Sequence, residues 1–346
     1  MADTVREQLR RHADSDVVAI RYEDTSITWR DYLAGADARA GAVTGMLDPA
    51  RPLHVATLLE NTPEMLYALA AGALGGYVTV GLNATRRGEG LARDIRKSEC
   101  QVILTDCELK PLLDGLDLGE VSVIDTDSDE WAALVASSSA PQDPPPVEAM
   151  DPFMLIFTSG TSGDPKAVQV GNFTVTMSGE NLAPSFGLTS EDVLYLSMPL
   201  FHSNAIMSGF SPAIAAGATM ALARRFSATR FGDDIRRYGV TYMNYVGKPL
   251  AYILDTPPRR RPDHAPRRVR QRGRGQGHPR LRAAVRVRGP RRLRLHRARG
   301  DHRADRELAA GVDRGTVPGG RRVRPRDRGG VSPRGVRRRR RRDQPR

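Results

Sequence analysis

Phe153-Met154-Leu155-Ile156-Phe157-Thr158-Ser159-Gly160-Thr161-Ser162-Gly163-Asp164-Pro165-Lys166 is the stretch on which the reading of this chain turns. Phe153 to Phe157 is a short apolar run that stops abruptly. Small or hydroxylated residues fill Thr158 to Gly163, and Pro165-Lys166 closes the segment. Apolar residues bounded by Gly and Ser predict a buried strand feeding a tight loop. Glycines let the backbone approach a ligand, while hydroxyls and free N–H groups wrap an anion. A lysine supplies a compact charge for phosphate oxygens. The chemistry is that of a phosphate-cradling loop.

The spacing excludes two common alternatives. A Walker A loop places Lys directly after the second Gly and Ser or Thr after the Lys. Here Lys166 comes three residues after Gly163 and is followed by Ala167. A hydrolase elbow requires Gly-x-Ser-x-Gly, and Gly160-Thr161-Ser162-Gly163 is one residue short. A plain Ser/Gly turn without a ligand does not account for the buried strand before it and the Pro-Lys after it.

Thr158 to Lys166 resembles the ATP-phosphate signature of the adenylate-forming enzymes, which include acyl-CoA synthetases, luciferases and peptide-synthetase adenylation domains. Two positions depart from that pattern: Ser162 stands for a threonine and Ala167 for a glycine. A second match is Ser197-Met-Pro-Leu-Phe-His202-Ser203-Asn204, similar to the family's Pro-Leu-Phe-His motif. Asn61, Gly81-Leu82-Asn83 and Leu91 fit its N-terminal pattern. The resemblance runs from about residue 20 to about residue 256, with actinobacterial long-chain fatty-acyl-CoA synthetases the nearest fit.

The resemblance implies an α/β fold of layered parallel sheets with flanking helices, as in the large N-terminal domain of acyl-CoA synthetases. It implies ATP, Mg²⁺ and coenzyme A as co-substrates or cofactors of fatty-acid activation. Thr158, Ser159, Gly160, Thr161, Ser162, Gly163 and Lys166 would hold the β- and γ-phosphates, with Thr161 sharing Mg²⁺. A hydroxyl is a reasonable hard ligand there. His202, Ser203 and Asn204 would border the carboxylate and acyl pocket, and Tyr245, Val246 and Gly247 would line the acyl channel. Lys166 and His202 are the catalytic candidates. An acyl-AMP ligase without the CoA step is the alternative within the class.

The chain changes character after Thr256. Residues 257–346 contain 33 Arg, seven acidic residues, no Lys and no Phe, Tyr, Trp, Met, Ile, Asn or Cys. This region therefore carries a formal charge of +26 and residues 1–256 one of −13, which together give the +13 of the whole chain. Without aromatic or large β-branched residues, such a segment buries too little apolar surface to offset chain entropy. It is expected to be disordered and off the body, giving two regions, 1–256 and 257–346. An Arg-rich nucleic-acid arm is the reading from another class, but no aromatics are present for stacking, so no specific nucleic acid is expected.

Six of the missing types, Phe, Tyr, Met, Ile, Asn and Lys, are those whose codons begin with two A/T bases, the mark of a GC-rich gene read out of frame. Arg291 to Ala298, moved one base forward, permits Asp-Gly-Phe-Gly-Ser-Thr-Glu. That string resembles the family's Gly-Phe/Tyr-Gly-x-Thr-Glu motif for adenine and magnesium. Frame is lost near residues 256–262 on this reading. No in-frame Gly-x-Thr-Glu exists, so the chain as given is expected to be inactive.

Cys100 and Cys107 fit neither a zinc nor a thioredoxin-like spacing. The charged N-terminus has no apolar core of a signal peptide, which predicts a cytoplasmic protein. The uncharged stretch Met65 to Leu82 is interrupted by Gly72, Gly75 and Gly76. It predicts a buried helix, a turn and a strand rather than a membrane span. Contact with a membrane surface stays open, since acyl substrates partition into lipid. Helices are further predicted over Ile27–Met46, Glu89–Ser98, Ala205–Ala216 and Phe231–Tyr238, and strands at His54–Leu59, Val102–Thr105, Val121–Ile124, Asp192–Ser197, Ala218–Ala221 and Val240–Tyr245. Pro141 to Pro146 is predicted to link two lobes.

Overall fold

Short apolar runs alternate with Gly-terminated helices along this chain, and that alternation builds two open sheets with helices between them. The computed structural model describes residues 4–158, 166–246, 249–255, 268–272 and 294–297, the last two segments as backbone. In chain order the elements are α1 (Val5–Arg10), β1 (Val18–Tyr22), β2 (Thr25–Thr28), α2 (Trp29–Thr44), β3 (His54–Leu58), α3 (Pro63–Gly75), β4 (Val78–Gly81), α4 (Gly88–Ser98), β5 (Val102–Thr105), β6 (Ser122–Asp125), α5 (Asp129–Ser137), β7 (Pro152–Thr158) and β8 (Lys166–Gly171). There follow α6 (Asn172–Phe186), β9 (Val193–Leu196), α7 (Ser203–Ala205), α8 (Ser211–Ala216), β10 (Thr219–Leu222), α9 (Phe231–Tyr238), β11 (Tyr242–Val246), α10 (Pro249–Asp255), β12 (Arg268–Arg272) and β13 (Arg294–Arg297).

The first sheet runs β6-β5-β3-β4-β7-β8 and the second β13-β12-β11-β9-β10-β1-β2. Both are parallel except at one edge, where β8 and β2 pair antiparallel with β7 and β1. Parallel strands covered on both faces read as continuous apolar runs, and β5, β9 and β10 are buried at every position.

Packed between the sheets, α3 is buried almost throughout. It ends at Gly76, whose φ of 75° is the left-handed cap that turns the chain into β4. A Cβ on Gly72 would come within 2.5 Å of Thr79 Oγ1, so helix and strand touch closely there. The uncharged stretch Met65–Leu82 is thus a buried helix, a turn and a strand. Among the described residues no helix is long and apolar enough to cross a membrane. Around α3 the Trp29 indole N–H donates to Gly217 O at 3.0 Å and the Tyr32 hydroxyl donates to Leu66 O at 2.7 Å. Both aromatic side chains are fully buried, with their polar tips satisfied.

Four local expectations are corrected. Ile27 belongs to β2, because the Thr28 side chain accepts from Asp31 N–H and starts α2 one residue later. The helix expected over Ala205–Ala216 is interrupted by a π-turn at Ile206–Phe210. Pro141–Pro146 joins α5 to β7, and β7 lies in the same sheet as β3 to β6, so this stretch connects parts of one sheet rather than two lobes. Finally, β12 and β13 come from the Arg-rich region expected to stay off the body, yet they pair in parallel outward from β11. Ladder pairing needs only backbone N–H and C=O groups, which an arginine supplies as well as a valine does.

Candidate functional site

The strands of both sheets deliver their C-terminal ends to the site, the usual location in open α/β sheets. Strand β7 carries the phosphate-type sequence. Its last residue, Thr158, pairs directly with Lys166, the first residue of β8. These two residues form the last described rung of the β7–β8 pair, its neck, with a hydroxyl-bearing and an ammonium-bearing residue opposite each other. Both neck residues are exposed. Ser159, Gly160, Thr161, Ser162 and Gly163 lie outside the described residues, as does Gly247.

His202 sits on the second sheet's contribution, the connection from β9 to α7. It is solvent-exposed, with its ring tilted against Phe201 at a centroid distance of 4.5 Å. Partial desolvation lowers its pKa below the usual histidine value, so the neutral imidazole is favoured. Its carbonyl accepts from Ala205 N–H at 3.1 Å and Ile206 N–H at 3.3 Å, which opens α7.

This connection rests on the first sheet at two points. Asn61, just beyond β3, donates from Nδ2 to Leu196 O at 3.2 Å and Met198 O at 2.9 Å, and its Oδ1 accepts from Leu200 N–H at 2.9 Å. Gly81 ends β4, where a Cβ would lie 3.0 Å from Phe201 Cα. Since Gly81 pairs with Ile156 of β7, two residues before Thr158, the His202 segment and the hairpin neck share one sheet edge.

Behind His202, Ser203 is half-buried and Asn204 is buried. Asn204 Oδ1 accepts from Asn244 Nδ2 of β11 at 2.8 Å, which ties α7 to the strand predicted to line the acyl channel. On the other face of β11, the buried Tyr245 phenol is pushed up to about 12 by desolvation. Val246 is described as backbone only, at the end of β11. The π-turn follows at Ile206–Phe210, a feature that recurs at functional sites. Gly209 packs closely there, since a Cβ would come within 2.6 Å of Leu196 Cδ2 and that side chain would have to shift.

A charged network missed in the sequence closes the same edge. Arg224, just beyond β10, reaches Glu60 Oε2 at 2.8 Å, Asp106 Oδ2 at 2.9 Å and Glu108 Oε2 at 3.0 Å, and Arg225 also pairs with Glu60. The carboxylates follow β3 and β5 of the first sheet, and the cations follow β10 of the second. Asp106 is held above the usual carboxylate range by burial, against the pull of Leu109 N–H and Arg224. Among the described residues no group of three His, Cys, Asp or Glu is placed to hold a metal ion.

Thr158 and Lys166 bracket the Ser/Thr/Gly motif, and Gly81 sets the His202 segment against the strand next to β7. The chain belongs to the AMP-binding enzyme family, whose model matches residues 5–296. It is 47% identical over 250 residues to the medium/long-chain-fatty-acid–CoA ligase FadD17 of Mycobacterium marinum, a match covering 71% of this chain and 48% of the relative. It is 41% identical over 258 residues to the steroid-22-oyl-CoA synthetase of Rhodococcus jostii, covering 73% of this chain and 46% of that protein. The chain thus spans about half the length of these curated relatives. Among solved structures, the o-succinylbenzoate coenzyme A synthetase (MenE) of Bacillus subtilis, in complex with ATP and magnesium ion, superposes with a TM-score of 0.63 at 25% identity, covering 76% of this chain and 68% of that one.

Proposed function

We propose that this domain serves the ATP-dependent activation of a medium- or long-chain fatty acid. The acid's carboxylate oxygen bonds to the α-phosphorus of ATP and pyrophosphate leaves. The acyl group of the resulting adenylate then passes to the thiol sulfur of coenzyme A, releasing AMP. The observation that carries the reading is that the Thr158–Lys166 neck ends β7 while the His202 segment lies against Gly81 of β4, the strand paired with β7. Charge separation makes the barrier, so positioning and cationic stabilisation are the chain's contribution.

Lys166 at the neck fits a role on the β- and γ-phosphates. Thr158 and the loop residues to Gly163 supply hydroxyls and N–H groups, and Thr161 would share the Mg²⁺ that accompanies the nucleotide. A neutral His202 fits a place beside the acid's carboxylate, where it donates one hydrogen bond. Asn204 and Tyr245 to Gly247 would flank the acyl chain. The substrates are the fatty acid, ATP and coenzyme A, in a cytoplasmic setting with contact to lipid where the acid is drawn from a membrane. Residues 1–256 form the AMP-binding part, and 257–346 read as out of frame.

The test is fatty-acid-dependent exchange of pyrophosphate into ATP. We infer activity from the frame-restored gene product and none from the 346-residue chain, which lacks an in-frame Gly-x-Thr-Glu. In the restored protein, Lys166→Ala should weaken ATP use and His202→Ala should chiefly impair use of the acid. Robust exchange by the unrestored chain would overturn this account of the site, and no exchange with any fatty acid by the restored protein would overturn the activity.

A further inference from the structure

We propose that Asn61 is a positioning residue for the acid side of the site, holding the His202 segment in register with the phosphate-loop sheet, with Gly81 as the second half of its seat. The proposal rests on the reading of His202 as a neighbour of the acid. Asn61 is only 2% exposed and sits immediately after β3, which places it in the middle of the first sheet. All three of its hydrogen bonds go to the backbone of residues 196–200, more than 130 positions away in sequence.

Those three bonds fall on Leu196 O, Met198 O and Leu200 N–H, alternate residues of the connection that leaves β9. A planar amide is the side chain that can donate twice and accept once in this arrangement. Aspartate would set a carboxylate against two carbonyl oxygens, and leucine would take away the Asn61 bonds to Met198 O and Leu200 N–H, leaving Leu196 O only the Ala223 N–H. The segment held in this way ends at Phe201-His202. There Gly81 permits the close approach: a Cβ would meet Phe201 Cα and Cβ at 3.0 Å and Met154 Cε at 2.6 Å. Met154 can move, but the Phe201 backbone cannot move without carrying His202 along. The seat therefore joins two strands of the nucleotide-bearing sheet, β3 and β4, to the one segment of the other sheet that presents the candidate histidine.

The structure contains its own control. Asn172 is equally buried at 2% exposed, and it also spans chain segments, accepting from Val5 N–H at 3.1 Å and donating to Asp151 O at 3.0 Å. Removing it discards similar chemistry away from His202.

The experiment compares the full chain with Asn61→Ala, Gly81→Ala and Asn172→Ala, by hydrogen–deuterium exchange with peptide resolution and by calorimetric binding of hexadecanoate. Loss of Asn61 should speed exchange across residues 197–205 by about tenfold or more, as a local opening. It should weaken hexadecanoate binding by a similar factor. Gly81→Ala should do the same from the other side of the seat, and it stands in if Asn61→Ala fails to fold. Asn172→Ala should loosen α1 and the start of α6 and leave 197–205 and acid binding as in the parent. Unchanged exchange at 197–205 in both seat variants overturns the proposal. So does an equal rise at 197–205 in Asn172→Ala, which would reduce Asn61 to general stability. Faster exchange with acid binding unaltered overturns the positioning role. If the parent chain binds no hexadecanoate, the binding comparison moves to the frame-restored protein, whose failure to bind would overturn the functional reading, and the exchange arm alone decides the seat.

Discussion

Replacing Arg224 with methionine keeps the aliphatic stem and removes the charge that bridges the two sheets. The guanidinium serves Glu60, Asp106 and Glu108, and the first two carboxylates are 10% and 7% exposed. Breaking a buried pair from one side costs about 3–5 kcal/mol, because the remaining charge is left desolvated. Two features reduce that figure here. The Arg224 side chain is 29% exposed, and Arg225 still reaches Glu60. A loss of about 2 kcal/mol at neutral pH is therefore expected. Most of it lies on Asp106, whose carboxyl burial already holds above its ordinary range.

The sign with pH follows. A carboxylate with a raised folded pKa binds more protons folded than unfolded, so its penalty is full above the folded value and vanishes as pH falls below the unfolded one. Removing Arg224 raises the folded value further, so the deficit of Arg224→Met should shrink on acidification. Urea unfolding followed by the fluorescence of buried Trp29 and Trp131 reads this. Asp106→Asn in the Arg224→Met background should restore a large part of the loss. A deficit below about 0.5 kcal/mol, or one that stays constant between neutral and mildly acidic pH, would refute the latch.

Three further outcomes are expected. Because desolvation lowers the His202 pKa, the acid limb of fatty-acid activation by the frame-restored protein should fall below the ordinary histidine range and disappear in His202→Gln. A pH–rate profile of the two checks this. Cys107 is exposed and Cys100 is buried with its thiol pushed up, so a thiol reagent should label one cysteine in the folded chain and the second only on unfolding. Cys107 should react slowly for an exposed thiol, since its hydrogen bond to Asp127 also raises its pKa. Nucleotide sequence shifted one base forward after about codon 258 should give an open frame containing Asp-Gly-Phe-Gly-Ser-Thr-Glu, and a stop within the first few dozen codons would defeat the frame reading.

The parts of the fold legible in the sequence are those whose signal is local. Residues 153–157 announced β7 because five apolar residues ended at a hydroxyl-rich loop. Pro63 and Gly76 bracketed α3 with a start and a left-handed stop. Where the local signal was weak, elements went unread. Helix α6 carries Gly179 and Pro184 and begins without a side-chain cap. It is helical because Gly179 lets it pack close to Ser211, where a Cβ would meet the backbone oxygen at 2.5 Å. Strand β8 was hidden by its own motif, since Lys166 reads as the end of a loop and is also the first rung of a ladder. The site was legible on the same terms: Lys166 and His202 lie in motifs and Asn61 fits the N-terminal pattern, but what Asn61 and Arg224 do depends on partners more than 100 residues away. No window of sequence contains both members of such a pair.

That distribution has a consequence for how the domain works. The hairpin neck belongs to the first sheet and His202 to the second, and no strand is shared between the two. An attack of carboxylate on phosphorus needs the reacting atoms within about 3–3.5 Å, and a misplacement of about 1 Å costs on the order of a hundredfold in rate. The two sheets share one close-packed apolar core, which holds them together. The polar ties between them add directional constraints at the site. Asn61 fixes the His202 segment and the neighbouring Glu60 fixes the end of β10, so one dipeptide after β3 sets both ends of the second sheet's contribution. A double variant of Glu60→Gln and Asn61→Ala should lose more acid binding than its singles predict independently, since each tie limits the movement that the other would allow. Strict additivity in that cycle would mean the two ties act on separate motions and that the sheets are aligned by something else.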